Sequence, residues 1–534
     1  MGKESSSQAQ EPAVVVDVPA SPSADASASS DSDGEVAKVH QFNEQTNYVP
    51  KRTIITIFLA CASVDLLALM DQTTLATSLT STVGQLLYGR LSDIWSRKVV
   101  LLTGLAIFFI GSLASSLAQS VLQLTVFRAF TGIGGGGLMT VAQLIVSDVV
   151  PLRERGKYQG ILGAVVAIAN GIGPVIGGAL SSKSSESWRW IFRLNLPLTA
   201  LTTGCVIFFM PLKKVQGDWK LKLKAVDFGG IFLAFAGMTI FILGMTWGGR
   251  EYSWNSVQVI TTMVIGVVVS IGFVLWQWKG PKYPLVPLHI FKSKIVNGAC
   301  LTMAINGWNF VMQVYYVPSF YQLVYGYSAT KSGALLLPIT IIQTISSTLS
   351  GLIVHWIGRY RECILFGWVC WAVGLGLMST LDETTGLGKQ IGYALLIGVG
   401  VGNTLQPALI ATQAGVERRD MAIVTSFRNN NILAGAFSSL NLDAKAAKVL
   451  LSNPQEYLRE VSPEEADRVR AILFPAYKRG FRIIFIIGAS LAAFAFVLAF
   501  FLMPQVELSR PDDQKLKEEA QKAHDEKKKK KEAA

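Results

Sequence analysis

Apolar runs of about 20 residues, long enough to cross the hydrocarbon core of a bilayer, recur along this 534-residue chain and constrain its fold more than any other feature. They lie near 99–119, 121–147, 159–180, 190–210, 226–247, 257–278, 295–324, 330–355, 363–381, 389–413 and 481–503. Backbone polar groups in lipid must be satisfied within their own segment, so runs of this length read as helices. An all-α membrane protein is expected. Composition agrees, with 51% hydrophobic and only 16% charged residues, against about 25% charged in ordinary soluble domains.

The net charge of +12 has a simple home. Lys and Arg gather in alternate loops: Arg153, Arg155 and Lys157; Lys213 to Lys224; Lys279 to Lys294; Arg359 and Arg361; Arg418 and Arg419. The positive-inside rule places all of these on the cytoplasmic side, and no nucleic-acid partner is needed. Residues 1–50, rich in Ser, Ala and Asp and without an apolar core segment, read as a disordered cytoplasmic tail rather than a signal peptide. Residues 504–534, ending in the run Lys527 to Lys531, read as a basic cytoplasmic tail facing solvent or anionic lipid. The five cysteines, Cys61, Cys205, Cys300, Cys363 and Cys370, all fall in apolar runs and read as packing residues, not a disulfide framework. There is no phosphate-binding loop, metal-ligand spacing or nucleophile elbow. No enzyme activity, cofactor or metal is expected.

The stretch Gly89 to Lys98, GRLSDIWSRK, carries four charged side chains in ten residues. It belongs at an interface, since one such charge costs about 2.5–3.5 kcal/mol mid-bilayer on insertion scales. Its pattern, G-x-L-x-D-x-x-x-R-K, resembles the signature loop of the major facilitator superfamily, and the likeness extends over roughly 53–503. The resemblance implies two six-helix halves, 51–212 and 295–503, joined by a linker at 213–294 that carries two extra spans, for about 12–14 transmembrane helices. It assigns Gly89, Asp93 and Arg97 to a gating latch.

Further motifs support the likeness. Arg128, within VFRAFTGIGGGG, stands where the family has a span-four arginine, although Thr131 replaces a glutamine. A guanidinium in mid-span must face the bundle interior or a wet cavity. Gly160, Gly173, Pro174, Gly177 and Gly178 match the family's antiporter motif, with Ala169 in place of a glycine. Small residues there let backbones approach, Pro174 bends the helix, and the resemblance implies export. Asp71, in Asp71-Gln72-Thr73, fits the span-one pattern and is the proton-carrying candidate, and Arg128 is assigned to substrate or proton coupling. Asp65 lies about 120° away around the helix and does not pair with it. Trp188 to Pro197, WRWIFRLNLP, is similar to the span-six entrance of fourteen-span drug exporters.

Asn309, Gln313 and Tyr316 recur at three- and four-residue steps and share one helix face; such a face lines a cavity or another helix. With Asn403 and Gln406 they form the candidate substrate cavity. Asp227, at a membrane edge, reads as an interfacial cap, and Gly351 to Arg361 is a degenerate echo of the first signature stretch. Two places depart from the family pattern. Thr53 to Arg90 leaves too little chain for two full spans and a loop, so span two looks shortened near Leu79–Thr80. Span thirteen, near 421–440, looks shortened as well, and Asn441 to Lys478 reads as an amphipathic loop.

The expected function is that of a fungal-type fourteen-span drug:proton antiporter: a proton-coupled secondary active transporter that exports small molecules, drugs or toxins, by alternating access. Its expected partners are a small-molecule substrate, protons and the lipid bilayer. It is expected to be a monomer in the plasma membrane. The alternatives are a vacuolar basic amino acid transporter and a transport-dead sensor or truncated isoform.

Overall fold

Helix begins at Lys51 and dominates every part of the chain that the computed structural model describes: residues 51–70, 75–150, 188–210, 226–249, 251–281, 283–414 and 463–506, with 155, 157, 158, 162, 508 and 522. In order the helices are α1 Lys51–Met70, α2 Leu75–Ile94, α3 Arg97–Leu117, α4 Val121–Gly136, α5 Leu138–Val149, α6 Arg189–Phe209, α7 Phe228–Trp247 and α8 Val257–Lys279. After a 3-10 turn at Leu288–Lys292 come α9 Lys294–Leu323, α10 Ala329–Ala334, α11 Leu337–Ile357, α12 Arg361–Met378, α13 Leu387–Ala414 and α14 Pro463–Leu502. An isolated bridge between Gly248 and Tyr252 is the only extended pairing among the described residues. Nine helical stretches there are long and apolar enough to cross a membrane.

Helix starts follow local chemistry. The side chains of Ser96, Ser120, Asp227, Ser256 and Ser328 each accept a hydrogen bond from the backbone N–H three residues on, which satisfies one of the orphan donors of the first turn. Asp227 therefore caps α7, as its position suggested. Its carboxylate takes three further donors: Trp276 Nε1 at 2.9 Å, Gln277 Nε2 at 2.7 Å and Leu285 N at 3.4 Å. This knot fastens α7 to α8 and to the segment that leads into α9.

α1 and α2 are each 20 residues long, about 30 Å at 1.5 Å per residue, but neither is among the nine stretches long and apolar enough to cross a membrane, and α2 reaches its length by running on through Gly89 to Ile94. Likewise the end of the expected amphipathic loop is helical from Pro463 and continuous with the last apolar run, because its polarity masked a helix former. Span thirteen near 421–440 lies outside the described residues.

Buried apolar side chains form two main clusters. One, from Ile57 to Met210, is built mainly by α1, α2, α3, α5 and α6; the other, from Ile295 to Leu508, by α9 and α11 to α14. In the first, glycines set the helix spacing. A Cβ on Gly134 would strike the backbone of Phe108 in α3, and one on Gly136 the backbone of Ser81 in α2, so only glycine permits these close approaches. In the second, Trp368 and Trp371 are fully buried and stacked, with ring centroids 5.3 Å apart. The α7–α8 pair exposes most of its apolar side chains, as helices facing lipid do. None of the five cysteines forms a disulfide.

Candidate functional site

The signature stretch is a hub rather than a loop. Its first six residues end α2, its last two open α3, and only Trp95 and Ser96 stand between. Ser92 Oγ donates to Gly89 O at 2.8 Å and also meets Nη1 of Arg97. Arg97 Nε donates to Asp148 Oδ2 at 2.8 Å, a charge-assisted bond to the last turn of α5. Lys98, next in the chain, is 5% exposed and donates to Ile207 O at 2.8 Å and Met210 O at 2.5 Å. It thus caps the orphan carbonyls at the end of α6. Of the latch residues, Gly89 and Arg97 are placed in this hub, while the side chain of Asp93 lies outside the described residues.

The degenerate echo repeats the arrangement. Tyr360 follows Gly351 by the same nine residues that separate Lys98 from Gly89. Its hydroxyl donates to Pro504 O at 2.6 Å, just past the end of α14, and accepts from Val506 N at 3.2 Å. Arg361 Nη2 donates to Phe500 O at 2.9 Å. Burial pushes the Tyr360 phenol up to about 12. Gln505 Oε1 accepts from the backbone N–H groups of Tyr360 and Arg361 at 3.1 and 3.2 Å, and Gly358, at φ 74°, makes the turn. In both clusters the residue nine places after the glycine ties the start of one helix to the end of the last helix of that cluster.

One of the basic residues assigned to the alternate loops is buried. Arg155, 6% exposed, donates to Val150 O at 2.9 Å and Ser147 O at 2.5 Å, closing the end of α5. Its Nη1 reaches Gln413 Oε1 at 3.2 Å, in the last turn of α13, and Gln413 is fully buried. The bond joins an element of the first cluster to one of the second. Its sequence signal was hidden, since one arginine among Arg153, Arg155 and Lys157 looks like any other inside charge.

Arg128 on α4 is 2% exposed, and its guanidinium carbon lies 5.1 Å from the ring centroid of Phe192 on α6. A cation over an aromatic face, out of water, is stabilised by the ring quadrupole. Asp65 on α1 is fully buried, and neither carboxyl oxygen has a hydrogen-bond partner among the described residues. Asp71, and the antiporter motif residues Gly160, Gly173, Pro174, Gly177 and Gly178, lie outside the described residues.

In the second cluster the polar face of α9 turns toward neighbouring helices. Asn306 Nδ2 donates to Thr404 Oγ1 on α13 at 3.0 Å, and Asn309 Nδ2 to Gly488 O on α14 at 3.2 Å. Tyr316 meets Phe481 of α14 edge to face, centroids 6.4 Å apart. Asn403 Nδ2 donates to Ser346 Oγ on α11 at 2.6 Å. Asn309 Oδ1, Gln313 Nε2 and Gln406 Oε1 are buried with no partner among the described residues. These buried amides keep unused hydrogen-bonding capacity inside the cluster.

Comparison with known proteins gives a consistent result. Residues 52–439 match the Major Facilitator Superfamily. Citrate exporter 1 of Yarrowia lipolytica is 31% identical over 504 residues, covering 86% of this chain and 74% of that protein. Efflux pump dotC of Dothistroma septosporum is 36% identical over 343 residues, covering 64% of this chain and 59% of the pump. The chain thus spans about six tenths of that pump's length. Among solved structures, the proton:xylose symporter XylE bound to 6-bromo-6-deoxy-D-glucose superposes with a TM-score of 0.57 at 13% identity, covering 87% of this chain and 99% of that one. At that identity the likeness concerns the fold alone.

Proposed function

The chain belongs to the major facilitator superfamily, and from that premise we propose that it is a proton-coupled secondary active transporter exporting small molecules by alternating access. It is a multi-pass membrane transporter and not an enzyme. The observation that carries the alternating-access reading is the hydrogen bond between buried Arg155 and buried Gln413, which joins the two clusters. A contact of this kind has to break when the clusters rock apart, as alternating access requires. Similarity to proteins named as an efflux pump and a citrate exporter supports the outward direction.

In this reading Gly89, Asp93 and Arg97 form the latch, and Asp71 and Arg128 couple proton movement to cargo. Gly160, Gly173, Pro174, Gly177 and Gly178 shape the antiporter helix, and Asn309, Gln313, Tyr316, Asn403 and Gln406 contribute to the cavity. The protein works as a monomer, in the plasma membrane. A second reading, export of organic anions, is favoured by one observation: the buried guanidinium of Arg128 is a fixed positive charge deep in the bundle, suited to a carboxylate.

Exchange assays on the purified chain in liposomes separate the two. Citrate and the lipophilic cation ethidium are each loaded inside, and counterflow of labelled solute is followed. Uptake of citrate supports anion export, uptake of ethidium supports drug export, and uptake of neither across a wider panel of small molecules removes the transport reading.

A further inference from the structure

Asp65 lies about 21 Å along α1 from Lys51, at 1.5 Å per residue, well inside the length that crosses a bilayer. Its carboxyl is fully buried, with both oxygens unpartnered among the described residues. Among the described residues Tyr158 meets Phe58 of α1, with ring centroids 5.7 Å apart, and the helices packed on α1 are α5 and α6. Their titratable groups are engaged elsewhere or are thiols: Asp148 binds Arg97, Arg189 donates to Ala118 O and lies over Trp188, Arg193 lies over Trp190, and Cys205 is free. On α1 itself, Cys61 stands one turn before Asp65, also buried and free.

An ionised carboxylate with no counter-ion and no donor cannot persist in such a place; it takes up a proton instead. Even the neutral acid leaves a polar group unsatisfied, which leucine at this position would avoid. As a packing residue Asp65 is a liability. As a group that is dry in one arrangement of the helices and wet in another, it has a use, because its proton then moves with the conformational change.

We infer that Asp65 is a proton-carrying site in its own right, separate from Asp71, protonated in the conformation described here and deprotonated when the helices part and admit water. The inference rests on the proton-coupled transport reading above. The balance is simple: one proton is bound from one side and released to the other, with no bond to the cargo.

The test uses the purified full chain in lipid nanodiscs and in liposomes. Infrared difference spectroscopy at neutral pH, with hydrogen–deuterium substitution, reads the carbonyl stretch of neutral carboxylic acids without any cargo. The expected result is a band in the wild type that is lost in Asp65→Asn and retained in Asp71→Asn. Absence of any such band, or its persistence in Asp65→Asn, overturns the inference. Asp65→Leu, which packs without a polar group, keeps the question open to test if Asp65→Asn folds poorly. It is expected to keep or raise thermal stability while losing pH-gradient-driven flux of ethidium or citrate down to the level of empty vesicles. Wild-type flux in folded Asp65→Leu overturns the site. If the wild type itself moves neither solute under a pH gradient but still exchanges them, proton coupling has failed, and the role of Asp65 falls with it.

Discussion

Arg155 and Gln413, 258 residues apart in sequence, meet at 3.2 Å with both side chains buried, and so bind the first helical cluster to the second. Gln413→Leu keeps the volume and removes the acceptor. A polar bond between membrane helices is worth about 1 kcal/mol, enough to shift a balanced conformational equilibrium about fivefold. A cysteine introduced at Ser147, whose carbonyl Arg155 also holds, is expected to react faster with a thiol reagent in the Gln413→Leu background. An unchanged rate means that the bond does not restrain opening.

The pair Arg97 and Asp148 offers a second test. Removing either partner leaves the other charge partly buried, at a cost of about 1.5–3 kcal/mol, and thermal unfolding in detergent is expected to fall accordingly. The double variant Arg97→Ala/Asp148→Ala is expected to lose less than the sum of the two single changes. Additive losses exclude a direct interaction.

Some of this organisation could be read from the chain and some could not. The apolar runs 257–278 and 295–324 coincide with α8 and α9 almost to the residue, because lipid imposes both length and polarity. The break between α4 and α5 at Gly137 was invisible inside one continuous run. The helical state of Gly89 to Ile94 was also missed, since charge marks an interface but does not say where a helix ends. The kinship of Lys98 and Tyr360 was out of reach for a different reason. An ammonium and a phenol share no sequence pattern, yet each donates to a carbonyl at or just past the end of the last helix of its cluster.

That kinship carries its own prediction. Tyr360 has its phenol held at about 12 by burial, against 10.0 for a free tyrosine. A raised acid of this kind contributes stability that is complete below the unfolded value near 10.0 and is lost as pH climbs through the folded value. Tyr360→Phe is expected to lower stability by about 1 kcal/mol at neutral pH and to flatten the alkaline fall between these two values. A fall as steep as in the wild type assigns the alkaline transition to other groups.

Close backbone approach at Gly134 leads to another expectation. Gly134→Ala puts a methyl against the Phe108 backbone, and overpacking of that kind costs about 1–3 kcal/mol. Lower yield of monodisperse protein in size-exclusion chromatography is expected, whereas Gly204→Ala, with open space around it, is expected to behave as the wild type.

Asp227 holds four donors from three segments. Asp227→Ala leaves them unpaired and is expected to cost about 3 kcal/mol, with α7 and α8 becoming more accessible to proteolysis near residues 280–285. Protection equal to that of the wild type removes the knot as the anchor of this pair.

The most direct test of the account as a whole is made in liposomes that contain only this chain, with ethidium or citrate as cargo and a pH gradient imposed across the membrane. Proton-coupled transport predicts that solute accumulates against its own gradient, that internal pH changes in step with solute movement, and that a protonophore abolishes both. Solute movement that only runs downhill, and that is the same with and without the gradient, contradicts it.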